Sequence, residues 1–169
     1  MRALNDAASA DARGTSAMGA NGSERDAGPE FWKLWRELLT DLRDPSVVVL
    51  VEGPRDRRAL EALGIQRSVQ LVHRGQSLSE VARSLDSTVR VVIVLTDWDS
   101  AGGEFARRIR ELLSGGPVRV DLEYRRRLAL ALRGEVVHLE GLAAWAGRRS
   151  EEEGLSLAER LERELDATG

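Results

Sequence analysis

One stretch of the sequence, residues 91–102 (VVIVLTDWDSAG), constrains the fold more than any other. It begins with five apolar residues, most of them β-branched, and such a run is typical of a parallel strand buried on both faces. Asp97 and Asp99 follow at the predicted carboxyl end of this strand, ahead of a helical pattern. Ligands of open α/β sheets bind in the crevice beyond these strand ends. Because two anions placed together repel each other, the pattern indicates that a cation lies nearby.

A second apolar run, Val47–Val51 (VVVLV), has the same character and leads into Glu52, a glycine and a proline. The glycine permits a tight turn, and proline suits the first position of a helix. Asp56 then falls in the first helical turn, where a negative charge interacts favourably with the helix dipole. The sequence therefore predicts a strand that ends in a carboxylate and turns directly into a helix.

The rest of the chain continues the alternation of strand and helix patterns. Further strands are predicted at 69–72 and 118–122, and helices at 77–85 and 101–113. This βαβαβαβ order predicts an α/β fold with a mostly parallel sheet of about four core strands and helices on both faces.

The regions outside this core differ in composition. Residues 1–28 are small and polar without a period that could bury a face, which predicts a disordered tail. Residues 29–45 contain an amphipathic helical pattern in which Trp32 and Trp35 are predicted to be core residues. The α/β core is predicted at 46–123. Residues 124–169 are predicted to form a mostly helical extension packed on the core, with helices at 124–132, 142–146 and 156–165 and a short strand or extended piece at 136–139.

Composition excludes some classes of protein but does not select a partner. The 169 residues carry a formal charge of -3 and no cysteine, which excludes disulfide scaffolds, thiolate zinc sites and a cysteine nucleophile. Arginine supplies almost all the basic charge, and its planar fork suits bidentate phosphate contacts. No apolar run approaches the roughly 18 residues of a membrane span, and no secretory signal is evident. We therefore expect a cytoplasmic protein without a membrane partner.

Two motifs together resemble a known family. LVEGPRD (50–56) and LTDWDSAG (95–102) resemble the signature motifs of the TOPRIM domain, which occurs in topoisomerases, bacterial primases, overcoming-lysogenization-defect nucleases, recombination mediators and a ribonuclease that matures ribosomal RNA. The resemblance covers about residues 47–122 and implies a compact Rossmann-like TOPRIM fold. The linking segments 61–69 and 75–82, with RRRL (125–128) and LEGL (139–142), look most like small stand-alone TOPRIM proteins, known mainly from archaea.

The resemblance assigns roles to three carboxylates. It implies that Glu52 acts as a general acid or base and shares in metal binding, and that Asp97 and Asp99 coordinate Mg²⁺, for which Mn²⁺ is a possible substitute. Magnesium prefers oxygen ligands and is typically held by one or two carboxylates together with substrate phosphates. The implied partner is nucleic acid, either RNA or DNA, whereas the sequence does not specify a protein partner.

Other polar residues near the motifs are candidates for supporting roles. Arg55, Arg58 and Arg74 are candidate phosphate contacts, although an individual arginine more often belongs to a solvated helix face. Asp56 is either a partner of the helix dipole or a group that orients an arginine or a water. His73, at the end of the strand 69–72, is a weaker candidate because a lone histidine is more often structural.

The predicted function is Mg²⁺-dependent phosphodiester cleavage or nucleotidyl transfer on nucleic acid. A nuclease of the RNA-maturing type is favoured over a primase-like polymerase, because no separate nucleotide-binding or template-binding domain is evident. Tyr124 is the only tyrosine and nothing near it marks a nucleophile, which argues against topoisomerase chemistry. The alternatives are a non-catalytic, metal-organised module that binds nucleic acid or protein, and a structural role with an empty site.

Overall fold

The computed structural model describes residues 27–72, 77–85 and 87–167. The predicted disordered tail, 1–28, lies outside these ranges except for Ala27 and Gly28, which begin the first helix. His73 and Arg74 also lie outside the described residues.

Strands and helices alternate through the core, as the apolar patterns predict. In chain order the elements are α1 (Ala27–Asp41), β1 (Val47–Val51), α2 (Pro54–Ala62), β2 (Val69–Leu71), α3 (Leu78–Ser84), β3 (Val91–Val94), α4 (Ser100–Leu113), β4 (Arg119–Asp121), α5 (Glu123–Leu132), a 3₁₀ turn (Leu139–Gly141), α6 (Leu142–Glu152) and α7 (Leu157–Asp166). Residues 136–138 precede the 3₁₀ turn without forming a strand.

The four strands form one all-parallel sheet in the order β2-β1-β3-β4, which confirms the predicted α/β class. In the central pair, Val49 lies opposite Ile93 and Leu50 opposite Val94. From β1 the chain continues through α2 to β2, which lies at one edge of the sheet. From β3 it continues through α4 to β4, which lies at the opposite edge. The crevice between the carboxyl ends of β1 and β3 is therefore the topological switch point, where ligands of such sheets bind.

Both faces of the sheet are buried, which explains why β1 and β3 are apolar at every position. One face carries Val49, Val51 and Ile93, and packs against residues of α1, α2, α5 and α6. The other face carries Leu50, Val92 and Val94, and packs against α3 and α4. Since α2 and α4 lie on opposite faces and both begin at the carboxyl edge, their first turns flank the crevice.

Helix α1 covers the first of these faces. Trp32 and Trp35 are fully buried, which confirms their predicted place in the core. The indole Nε1 of Trp35 donates to the carbonyl of Leu63, 2.9 Å away, and so ties α1 to the end of α2. Within the described ranges, each helix is too short or too polar to cross a bilayer.

Candidate metal centre at the carboxyl edge of the sheet

The first strand-to-helix turn, residues 52–56, connects β1 to α2 and places Glu52 at the end of the strand. Gly53 has extended backbone, and its N–H donates to Oδ2 of Asp56 at 2.9 Å. Asp56 is half-buried, and this burial raises the pKa of its carboxyl, with a further contribution from the negative charge of Asp97. The first turn is thus closed by its own residues and presents two carboxylates to the crevice.

The second strand-to-helix turn, residues 97–102, connects β3 to α4. Oδ1 of Asp99 accepts the N–H of Gly102 at 2.7 Å and caps the helix. The buried hydroxyl of Thr96 donates to the Gly102 carbonyl at 2.8 Å. A Cβ on Gly102 would lie 2.1 Å from the carbonyl oxygen of Asp97, a distance that no side chain tolerates. The second turn therefore requires glycine at 102.

Arg125 of α5 is hydrogen-bonded to the second turn. Its Nε donates to Oγ1 of Thr96 at 2.9 Å, and Nη2 donates to the carbonyl of Asp97 at 2.6 Å. In return, the indole Nε1 of Trp98 donates to the carbonyl of Arg125 at 3.0 Å. Burial lowers the pKa of Arg125, while the nearby Asp99, Glu52 and Asp97 oppose this shift. Arg125 thus places its guanidinium charge near the three carboxylates and holds the backbone of the second turn.

Residues 137–139 are also hydrogen-bonded to the second turn. The N–H of Trp98 donates to the carbonyl of Val137, and the N–H of Leu139 donates to Oδ1 of Asp97, each at 2.8 Å. Nδ1 of His138 lies 2.9 Å from Oδ2 of Asp97, and this carboxylate raises the pKa of the imidazole. Both oxygens of Asp97 are therefore oriented by the segment that follows α5.

Asp97, Asp99 and His138 form a candidate metal group. Each offers one ligand atom, and these atoms all lie within 4.8 Å of one another. Two carboxylate oxygens and an imidazole nitrogen are a donor set that suits a divalent cation, so the residues fit the metal that the motifs imply. Glu52 lies outside this group, and its role as a metal ligand stays a prediction.

Glu52 nevertheless shares a cleft with Asp97. The cleft has a volume of about 380 Å³ and is lined by Glu52, Gly53, Pro54, Arg55, Asp56, Asp97 and Glu140. Four of these side chains are carboxylates, whereas Arg55 is the only cation among the described residues of the lining. A bound cation would stabilise such an excess of negative charge.

A shallower groove continues from this cleft along α2. It is lined by Arg55, Arg58, Ala59, Ala62, Glu140, Gly141 and Ala143. Nη1 of Arg55 lies 3.5 Å from Oε2 of Glu140, and both side chains are largely exposed. Of the predicted residues, the cleft thus collects Glu52, Asp56, Asp97 and Arg55, while Arg58 lines the adjoining groove.

Three residues of this region were not assigned to the site from the sequence: Arg125, His138 and Glu140. His138 follows Asp97 by 41 positions and Arg125 follows it by 28, so no local spacing links them to the second turn. The only sequence signals were RRRL (125–128) and LEGL (139–142), which supported the resemblance but suggested no contact.

Comparison with known proteins agrees with the fold. Residues 47–144 match the Toprim domain model, and the chain belongs to this family. Toprim domains generally bind divalent metals and act on nucleic acids.

Several similar proteins are small UPF0292 proteins of archaea, which confirms the predicted likeness to stand-alone TOPRIM proteins. The UPF0292 protein of Thermococcus onnurineus is 37% identical over 113 residues, which cover 67% of this chain and 84% of the relative. The UPF0292 protein of Methanosarcina acetivorans is 30% identical over 123 residues, or 71% and 85% of the two chains. A solved structure of a protein from Aquifex aeolicus matches with a TM-score of 0.53 and 28% identity, over 64% of this chain and 94% of the other.

Proposed function

We propose that this chain is a divalent-metal-dependent nuclease that cleaves phosphodiester bonds in RNA or DNA. One observation carries the proposal: Glu52 and Asp97, from adjacent parallel strands, line a single cleft at the switch point of a Toprim sheet. Clustered carboxylates in such a crevice suit metal-assisted phosphoryl transfer, because a divalent cation held there would neutralise charge on the phosphate oxygens and activate water.

The three carboxylates are proposed to have different roles. Asp97 and Asp99 would hold Mg²⁺ or Mn²⁺, since they belong to the compact donor group at the second turn. Glu52, which lies outside that group but lines the same cleft, would act as the general base. As a water oxygen attacks the phosphorus atom, its proton passes to the Glu52 carboxylate. The bond from phosphorus to the leaving oxygen then breaks, and the leaving oxygen takes up a proton from solvent.

The arginines of α2 suit the substrate backbone. Arg55 and Arg58 are separated by three positions, so they lie on one face of the helix, and both line the groove beside the acidic cleft. Guanidinium groups bind phosphate oxygens bidentately. With Arg55 as the single cation among the described lining residues of the cleft, this arrangement favours one scissile phosphate over the triphosphate of a nucleotide.

The test is a gel of end-labelled structured RNA and primed single-stranded DNA, incubated with nucleotides and Mg²⁺ or Mn²⁺. Wild type is compared with Glu52→Gln and Asp97→Asn. Glu61→Gln is the matched control, because Glu61 lies on α2 and pairs with Arg57 outside the cleft. We expect shorter strands with wild type and Glu61→Gln only.

Other results distinguish the alternatives. Longer strands would replace the nuclease with a primase-like polymerase. Unchanged strands with metal-dependent binding would favour the non-catalytic binding module. Shortening that persists in Glu52→Gln at the wild-type rate would contradict the role of Glu52.

A further inference from the structure

His138 lies outside both Toprim motifs, yet it is the nitrogen donor of the candidate metal group. We propose that His138 is a third protein ligand of the ion held by Asp97 and Asp99, and that it makes the site selective for Mn²⁺ and similar transition metals over Mg²⁺. This inference rests on the proposed function, since it deepens the description of the same site.

The distances suit a shared ion. In an octahedral shell with metal–ligand bonds of about 2.1 Å, two neighbouring ligand atoms lie about 3 Å apart. Nδ1 of His138 and Oδ2 of Asp97 are 2.9 Å apart. The atoms offered by Asp97, Asp99 and His138 all lie within 4.8 Å of one another, which groups the three side chains closely enough to be proposed as ligands of one cation.

Backbone contacts hold His138 in this position. The neighbours of the histidine on either side, Val137 and Leu139, are both bonded to the second turn: the Val137 carbonyl accepts the N–H of Trp98, and the Leu139 N–H donates to Oδ1 of Asp97. The histidine between them is thereby held in register with Asp97. Its side chain is 59% exposed, which leaves the imidazole accessible to an incoming ion.

The hydrogen bonds also determine which carboxylate oxygens face the ion. Oδ1 of Asp97 accepts from Leu139, and Oδ1 of Asp99 accepts from Gly102 as the cap of α4. The Oδ2 atoms are therefore the ones best placed to contact a cation, and Oδ2 of Asp97 is the atom that His138 approaches. The second turn would supply two carboxylate oxygens to the ion, and His138 would supply an imidazole nitrogen as the third protein ligand.

The nitrogen donor determines the selectivity. Carboxylate and water oxygens suit Mg²⁺, whereas imidazole suits transition metals such as Mn²⁺, Co²⁺ and Zn²⁺ better. Removing the imidazole should therefore weaken Mn²⁺ binding more than Mg²⁺ binding.

The experiment uses the full chain with Mn²⁺ as the probe. Electron spin-echo envelope modulation detects ¹⁴N coordinated to Mn²⁺, and calorimetry measures the affinities for Mn²⁺ and Mg²⁺. The variants are His138→Ala and His138→Gln, whose amide retains a donor toward Asp97 without an imidazole nitrogen. His73→Ala is the matched control, because His73 is the other of the two histidines in the chain. Circular dichroism checks that each variant is folded.

We expect ¹⁴N coupling in wild type and His73→Ala, and none in either His138 variant. The Mn²⁺ affinity of both His138 variants should fall about tenfold or more, while their Mg²⁺ affinity changes much less. Coupling that persists without His138, or an equal loss of both affinities, would overturn the inference.

The same experiment separates this inference from the proposed function. Mn²⁺ binding that is lost in Asp97→Asn but shows no ¹⁴N coupling in wild type would refute the role of His138 and leave the metal site intact. An absence of Mn²⁺ binding by the folded wild type would refute both.

Discussion

The first and second strand-to-helix turns present similar sequences but are held in different ways. In each, a buried strand ends in a carboxylate and a glycine lies near the start of a helix. The first turn is closed locally, because the N–H of Gly53 donates to Asp56 three positions away. The second turn is held by Arg125 and by residues 137–139, which are distant in sequence. The order of the candidate metal centre therefore depends on the part of the chain after β4.

Gly53 and Gly102 allow the difference between the two turns to be measured. A Cβ on Gly53 would lie 3.8 Å from Oδ2 of Asp56, an ordinary contact, whereas a Cβ on Gly102 would lie 2.1 Å from the carbonyl oxygen of Asp97. Space, rather than backbone conformation, thus requires the glycine at 102. Substitutions that fill, loosen or neutralise the second turn should have larger effects than the corresponding changes in the first.

The largest effect is expected for Gly102→Ala. The added methyl group forces α4 away from the Asp97 peptide, and we expect the free energy of unfolding to fall by about 3 kcal/mol, with loss of Mn²⁺ binding. Urea denaturation measures the first quantity and calorimetry the second. Gly103→Ala is the matched control, because its Cβ would meet only Nη2 of Arg125 at 3.7 Å. An equal loss of stability in the two variants would contradict the close approach at Gly102.

Arg125→Met tests the contact from α5. This variant loses the charged hydrogen bonds to Thr96 and to the carbonyl of Asp97. We expect the free energy of unfolding to fall by about 1–2 kcal/mol, and the Mn²⁺ affinity to fall as the turn loosens. Arg126→Met is the control, since Arg126 is exposed and pairs with Glu123 on the same helix. If both variants bind Mn²⁺ like wild type, Arg125 does not order the metal centre.

Two substitutions of Asp99 distinguish its role as a helix cap from its role as a metal ligand. Asparagine is as good a cap as aspartate, so Asp99→Asn should leave the free energy of unfolding within about 0.5 kcal/mol of wild type, whereas Asp99→Ala should lose about 1 kcal/mol. Both variants should bind Mn²⁺ more weakly, because both lose the carboxylate. Denaturation and calorimetry on the same samples give the two quantities. Wild-type Mn²⁺ affinity in Asp99→Asn would show that Asp99 is a cap alone.

The smallest effect is expected in the first turn. Gly53 has extended backbone with room for a methyl group, but alanine is a poorer N-cap than glycine, so Gly53→Ala should lower the free energy of unfolding by less than about 1 kcal/mol. Thermal and urea denaturation of this variant beside Gly102→Ala compare the turns directly. A loss as large as that of Gly102→Ala would mean that the two turns are equally constrained.

The sequence predicts the parts of the site whose contacts are local. Apolar runs of β-branched residues predict β1 and β3 because both faces of the sheet are covered, and the carboxylates at their ends follow from the chain direction. For Asp99, the resemblance implies a metal ligand. The structure shows the capping hydrogen bond and also places Asp99 in the candidate metal group.

Contacts between distant segments were not predictable in the same way. The sequence predicts a short strand or extended piece at 136–139. Residues 136–138 form no strand, and His138 has extended backbone. The carbonyl of Val137 accepts the N–H of Trp98, a contact that the sequence did not predict. This tertiary contact brings the neighbouring His138 to the candidate metal group. A single histidine forms no periodic pattern, so its place there could not be predicted from the sequence.

The most direct measurement is anomalous diffraction from crystals of the wild-type protein soaked in Mn²⁺. We predict an anomalous peak between the side chains of Asp97, Asp99 and His138, at the second turn and facing Glu52 across the cleft. The absence of a peak there, or a peak only beside Glu52, Asp56 and Glu140, would contradict a metal centre built on the second turn.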